Sequence, residues 1–334
     1  MATIKEVAEK AGVSVATVSY VLNDTQKVRP ETAQKVLAAV RELGYAPNTA
    51  ARSLAVGRSS IVGLVVPDIG NPFFPEITKA FQDAASLSGL ETIVMNTNYD
   101  VHRTRNTVDR LVSLQVPGAA FLTSQVDASI REALAAKGIC AVYMDHGVAG
   151  RRISNIAIGY RQGVLAAVAH LLELGHRRIG FIGGPSHGAS AQLRKQAFLE
   201  GIGAAPDVEI RVVDGDFTVQ GGYFSCSKLL NGFPATAVMA ANDLMAIGAM
   251  HCAYDRQIPV PSELSIVGFD DITFAQFTQP ALTTVAVPRL EIGRIAFESL
   301  WALIADTSRP GSEYQVETRL VVRQSTAPRT EPRA

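Results

Sequence analysis

Ile4, Val7 and Ala8 recur at the spacing of one helix face, and Val18 and Leu22 stand one turn apart on a second short helix. Gly12 between them permits a tight turn. Ser14 is placed to accept a hydrogen bond from a backbone N–H in the first turn of the second helix. With Val18 and Leu22 turned toward the first helix, the opposite side of the second shows Ala16, Thr17 and Tyr20. Pro30 and Gly44 bound a third helix running to about Leu43. Two short helices around a glycine turn, the second studded with small hydroxyls, predict a helix-turn-helix. Pro47 and Asn48 then open a short segment that runs to about Val56 and is closed by Gly57.

From Ile61 the texture changes. Ile61–Val66 is a continuous apolar run, as expected of a strand buried on both faces. Strand-like runs at 92–95, 118–122, 141–144, 178–182, 236–240 and 264–268 alternate with helical stretches at 76–88, 103–114, 163–174, 222–230 and 244–254. This alternation predicts parallel α/β structure with too many units for one sheet, hence two lobes with a cleft between them. Residues 325–334, polar and proline-containing, predict a frayed tail.

Composition narrows the reading. The chain has 334 residues, room for more than one core, and a formal net charge of zero. Charge distribution matters more: residues 1–60 carry eight Lys/Arg against five Asp/Glu, a basic excess in the helical segment, where phosphates would be met. Neither a leader pattern nor an apolar run of membrane-spanning length is found, so a cytoplasmic protein without membrane contact is expected. Cys140, Cys226 and Cys252 read as reduced thiols, and the six histidines form no ligand cluster; neither a metal nor a cofactor is expected. The chain contains no Gly-x-Ser-x-Gly elbow, no Walker loop and no first-strand GxGxxG. Asp270 and Asp271 are neighbours on a strand and point to opposite faces, so they do not make an acid/base pair in one cleft. Catalytic residues are therefore not assigned.

The segments Thr3-Ile-Lys-Glu-Val-Ala8, Ala11-Gly-Val-Ser14, Thr17-Val-Ser19, Asn23, Tyr45-Ala-Pro-Asn48 and Ala51-Arg-Ser-Leu54 closely resemble the headpiece and hinge of the LacI/GalR family of bacterial transcription regulators. Pro67–Phe74, Gly175–Ile182, Ala241-Asn-Asp243, Gly268–Asp271 and Pro280–Thr284 resemble the same family's periplasmic-binding-protein-like effector domain. The resemblance implies an all-α helix-turn-helix headpiece (1–46), a hinge helix (47–58), a two-lobed α/β effector domain (59–324) with lobe crossings near 158, 287 and 317, and a tail (325–334). It implies a dimeric repressor on a pseudo-palindromic operator, controlled by a sugar, polyol or sugar acid, or else a purine. A solute-binding protein with the same two lobes is the alternative, which the headpiece opposes.

By the same resemblance, Val15, Ala16 and Tyr20 fall at base-reading positions and Ser14, Thr17, Ser19 and Asn23 at phosphate contacts, with Thr3 and Lys27 at the edge. Val15 and Ala16 can read only shape and thymine methyls, and Tyr20 stands where arginine or histidine is often found. Asn48 is placed to cap the hinge helix, Ala51 is small enough for close helix approach, and Leu54 matches a minor-groove wedge. In the effector domain, Asn71, Phe73, Phe74, Asp145, Ser190, Arg194, Phe217, Asn242 and Asp270 all follow strand ends, where α/β crevices bind ligands, and match family contact positions. Arg194 and Asp270 offer two-point hydrogen bonding to paired hydroxyls. Phe74 could equally belong to the core, Asp145 and Ser190 could be loop caps, and Asp243 could cap the following helix. Ile158-Gly-Tyr160 stands where many relatives place an aspartate-asparagine pair, which removes a polar group near the first crossing.

Overall fold

A computed structural model describes residues 2–23, 28–45 and 59–329, apart from 124, 125, 146, 148, 187, 204 and 206, with only the backbone described at Asn23. The chain divides into two compact units, 1–60 and 61–334.

In the first unit, α1 (Ile4–Ala11), α2 (Val15–Asn23) and α3 (Pro30–Glu42) surround a small core of Val7, Ala8, Val18, Val21, Ala33, Val36 and Ala39. Thr3 and Glu6 form a reciprocal capping box at the start of α1, and Gly12 ends that helix with φ 65°. Ser14 Oγ accepts from Thr17 N at 3.1 Å, the expected cap of α2. The buried pair on α2 is Val18 and Val21, with Leu22 only partly covered. Leu22 still packs against this core, so Val18 and Leu22 both turn inward as expected, and Val21 joins them.

The second unit holds two six-stranded sheets. The first runs β11-β5-β4-β3-β1-β2, with β1 (Ile61–Val66), β2 (Glu91–Asn96), β3 (Gly118–Phe121), β4 (Cys140–Met144), β5 (Ile153–Ile158) and β11 (Glu313–Val316), all pairs parallel. The second runs β12-β10-β9-β8-β6-β7, with β6 (Arg178–Gly183), β7 (Glu209–Asp214), β8 (Ala237–Ala240), β9 (Ser265–Asp270), β10 (Thr283–Ala286) and β12 (Arg319–Val321). It is parallel except where β12 joins antiparallel to β10. Helices α4 (Phe73–Leu87), α5 (Val101–Ser113), α6 (Ala128–Ala136), α7 (Tyr160–Glu173), α8 (Ala189–Gly203), α9 (Val219–Leu230), α10 (Asp243–Asp255) and α11 (Arg289–Ala305) connect the strands. The chain leaves the first sheet after Ile158, returns to it after Ala286 through α11, and leaves it again between Val316 and Arg319.

The expectation of a tail frayed from Ser325 is overturned for residues 325–329. Ser325 is fully buried; its Oγ donates to Ile266 O at 2.6 Å and accepts from Thr283 N at 2.7 Å. Ala327 N donates to Ser265 Oγ at 3.1 Å, and Arg329 N to Leu174 O at 2.8 Å. A polar, proline-containing composition predicts exposure only where no partner is waiting. Here the unpaired groups beside β9 and β10 are satisfied by the segment itself.

Candidate functional site

The first candidate surface is the outer side of α2. Val18 and Val21 turn inward, which leaves Val15, Ala16 and Tyr20 exposed, Tyr20 by 56%. Thr17 and Ser19 are half-buried at the margin. Two of the expected phosphate-contacting hydroxyls face each other, since Ser14 Oγ and Thr17 Oγ1 lie 2.9 Å apart. Thr3 is committed to its capping box, with its N–H 2.6 Å from Glu6 Oε2. Lys10 is held to Glu42 of α3 at 2.5 Å, which fixes α1 against α3. Lys27, Asn48, Ala51, Leu54 and the Asn23 side chain lie outside the described residues.

The second candidate is the cleft between the sheets. All nine residues expected there share one cavity wall: Asn71, Phe73, Phe74, Asp145, Ser190, Arg194, Phe217, Asn242 and Asp270. They stand at or after the ends of six strands, β1, β4, β6, β7, β8 and β9, so the parallel topology assembles them. Phe74 is both core and wall, 6% exposed and in edge contact with Phe73 at 5.0 Å.

Arg194 projects from α8 into this space. Its Nη1 donates to Ala241 O at 2.6 Å, and Nη2 lies 3.5 Å from Asp270 Oδ1. Its guanidinium sits over the rings of Phe269, Tyr160 and Phe217 at 4.3, 4.7 and 5.7 Å. Flat apolar faces and the carboxylate offset the cost of burying that charge. The Nε donor is buried with no partner, so one hydrogen bond remains for something else to accept. Burial pushes the Asp270 carboxyl up to about 6, against the lowering pull of the Arg194 and Arg289 charges.

Several wall residues already have internal duties. Asp145 accepts from Ile158 N at 2.8 Å and from the Tyr160 hydroxyl at 2.5 Å. It thereby joins the end of β4 to the chain leaving the first sheet. Asn71 Oδ1 accepts from Phe73 N at 3.0 Å. Asn242 Oδ1 caps α10 through Met245 N at 2.9 Å, and its Nδ2 donates to Phe217 O at 3.1 Å. Asn242, not Asp243, is thus the cap. Asp243 lies wholly buried and accepts from Ile272 N at 2.8 Å and Thr284 Oγ1 at 2.5 Å.

Tyr99 and Tyr160, which the sequence reading does not place in the site, also line the wall. Tyr99 follows the carboxyl end of β2, so the strand-end rule applied to every strand would have found it. Its ring lies 6.5 Å from that of Phe217, and burial above all pushes its hydroxyl up, keeping it a neutral donor. The reading that Ile158-Gly-Tyr160 merely removes a polar group is corrected: Tyr160 supplies both a hydroxyl to Asp145 and a face to Arg194. Tyr99, Asp145, Phe217 and Asp270 all take positive φ, at 56°, 55°, 66° and 114°. Four such non-glycine residues around one cavity mark a wall whose backbone is held for placement rather than local comfort.

The lobes are tied beside the cleft. Glu76 of α4 accepts from Thr273 Oγ1 at 2.8 Å and pairs with Arg289 Nε at 3.2 Å. Arg289, at the start of α11, donates through Nη1 to the carbonyl of Asp270. Among the described residues no group of His, Cys, Asp or Glu is arranged to hold a metal ion, and no helix is long and apolar enough to cross a membrane.

Residues 3–48 match the family model for bacterial regulatory proteins of the lacI family, and residues 168–326 match that for a periplasmic binding protein-like domain. The chain is 36% identical to the ribose operon repressor of Halalkalibacterium halodurans, over 98% of this chain and 97% of that one. It is 32% identical to catabolite control protein A of Priestia megaterium, over 97% and 99%. Among solved structures, the lac repressor dimer bound to operator and the anti-inducer ONPF superposes with a TM-score of 0.85 at 27% identity, covering 98% of this chain and 99% of that one.

Proposed function

Because the chain belongs to the lacI family of bacterial regulatory proteins, we propose that it is a dimeric repressor that binds a pseudo-palindromic operator under the control of a small sugar-like effector. Family membership makes it a DNA-binding transcription regulator and not an enzyme. The working division is a headpiece (1–46), a hinge (47–58), an effector and dimerisation domain (59–324) and a terminal segment (325–334). Its place of action is the cytoplasm, where promoter DNA is.

The observation that carries the effector reading is the Arg194–Asp270 pair inside a wall of aromatic faces. A guanidinium with an unmet donor and a buried carboxylate bind adjacent hydroxyls by two-point hydrogen bonds. Phe73, Tyr99 and Phe217 offer faces to the C–H side of a sugar ring. The ribose operon repressor among the relatives supports a monosaccharide or polyol as effector.

On DNA, the exposed Val15, Ala16 and Tyr20 face enters the major groove, with Ser14, Thr17, Ser19 and Asn23 against phosphates and Thr3 and Lys27 at the edge. Asn48 and Ala51 belong to the hinge helix, and Leu54 from each subunit wedges into the minor groove. Dimerisation is supported by Phe224 of α9, Tyr254 of α10 and Phe277 of the turn after β9, exposed by 60, 79 and 74%. Effector binding in the cleft alters how the lobes close, and this changes the spacing of two marginally stable hinge helices. Selection of binding sites from random DNA with the full chain, followed by footprinting, tests the reading. It should yield a pseudo-palindrome occupied by two chains; a single asymmetric site occupied by one chain rejects it.

A further inference from the structure

We propose a second ligand site on the first lobe, an anion pocket formed by Arg131, Arg151 and Arg152 and suited to a small organic phosphate. Strand alternation divides β4 between two environments. Cys140, Val142 and Met144 face the main core, and Met144 reaches the effector cleft, whereas Ala141 and Tyr143 face the opposite side. On that side Val108 and Leu111 of α5 and Ile130 and Leu134 of α6 cover the sheet. At the edge of α6 a cavity of about 380 Å³ opens, floored by Ala141, Tyr143 and Ile153 and rimmed by the three arginines. That volume falls in the range of small-molecule sites.

The charge is unbalanced. Among the described residues no Asp or Glu lines the cavity. Among the described residues none of the three arginines forms an ion pair, whereas nearby Arg105 is paired with Asp127 at 3.3 Å. Arg152 is pre-positioned: its Nη1 donates to Gly138 O at 3.0 Å, and its Nε is buried without a hydrogen-bond partner. Gly138 has φ 69°, and a Cβ there would lie 2.6 Å from the guanidinium, so the residue that ends α6 also makes room for the fork. The bond to Gly138 explains one donor of one arginine. Three guanidinium groups around one apolar floor repel one another until an anion arrives, and an unmet buried donor is costly until an acceptor does. Planar guanidinium forks match phosphate oxygens two at a time, and the Ala141, Tyr143 and Ile153 floor accepts a flat apolar body.

The test is calorimetric titration of the full chain at low ionic strength with phenyl phosphate, inorganic phosphate, citrate and phenol. One phenyl phosphate should bind per chain, at least about tenfold tighter than inorganic phosphate and tighter than citrate or phenol. The double variant Arg131→Gln, Arg151→Gln spares the Arg152–Gly138 bond and should weaken phenyl phosphate at least about tenfold. Arg194→Ala, in the effector cleft, should bind it as the parent does. Hydrogen exchange on the parent should show protection by phenyl phosphate confined to residues 131–153, a readout that stands even if the double variant fails to fold. Absent binding, protection elsewhere, a folded double variant with parental affinity, tighter binding of citrate, or loss of binding in Arg194→Ala would each overturn the site, and none of them touches the regulator reading.

Discussion

Arg194 and Asp270 meet at 3.5 Å inside the cleft with side chains only 7% and 5% exposed. At that separation the charges attract but the hydrogen bond is weak, so both groups keep capacity for a ligand between them. Asp270 is raised from the ordinary 3.8 to about 6, which means the folded protein holds a proton there that the unfolded chain has released. That contribution to stability is present at acid pH and is lost as pH rises through about 6. Ligand hydroxyls donate to the ionised form, so effector affinity should run the other way. It should be flat above about pH 7 and fall below about pH 6, by at most about tenfold per pH unit. Calorimetric Kd values across that window check this; affinity that rises on acidification would mean Asp270 does not accept from the ligand.

The Glu76–Arg289 pair should tune closure of the lobes. Glu76→Gln weakens the ion pair and leaves a group able to accept from Thr273, while Arg289 keeps its bond to the Asp270 carbonyl. Both side chains are partly covered, at 31% and 10% exposure, so the loss should be roughly 1 kcal/mol, several-fold in effector Kd. Operator affinity without effector should change less. An unchanged effector Kd would show that the tie does not contribute to closure.

Ser14→Ala removes the N-cap of α2. The headpiece should lose about 1 kcal/mol, because Thr17 N is left without its acceptor. Chemical denaturation of the full chain, followed by amide exchange at residues 4–42, checks this. Binding to operator and to random DNA should weaken together. A selective loss on operator alone would give Ser14 a base-reading role beyond capping.

Tyr20→Arg should change the preferred bases, since a guanidinium makes a bidentate pair to guanine and a phenol does not. The exposed position of Tyr20 on α2 leaves room for the change without disturbing the core. Parallel binding-site selections on parent and variant would reveal it. Identical preferences at every half-site position would place Tyr20 outside the readout.

Much of this architecture was legible because its signals are local. Glycine and serine at 12 and 14 announce a turn and a cap, and Ile61–Val66 carries the unbroken apolar run of a strand buried on both faces. The strand-end rule gathered Asn71, Arg194 and Asp270 from across the chain, since parallel topology brings strand ends together. What was not legible depends on distant partners. Tyr160 looked like a lost polar group until Asp145 and Arg194 stood beside it. The terminal segment looked frayed because nothing local shows that Ser265, Ile266 and Thr283 leave groups for Ser325 and Ala327 to satisfy.

A ligand in the cleft should control a headpiece distant in sequence. A thermal-shift screen of sugars, polyols, sugar acids and purines identifies an effector, and the selected operator is then titrated with the full chain with and without it. Effector should shift operator affinity of the parent by at least about tenfold, and Arg194→Ala should respond only at much higher effector concentration while remaining folded. Without effector, that variant should bind operator as the parent does if the effector induces release, and both should bind weakly if it is a corepressor. A parental effector response in Arg194→Ala at the parent's effector concentration would place effector control outside this cleft.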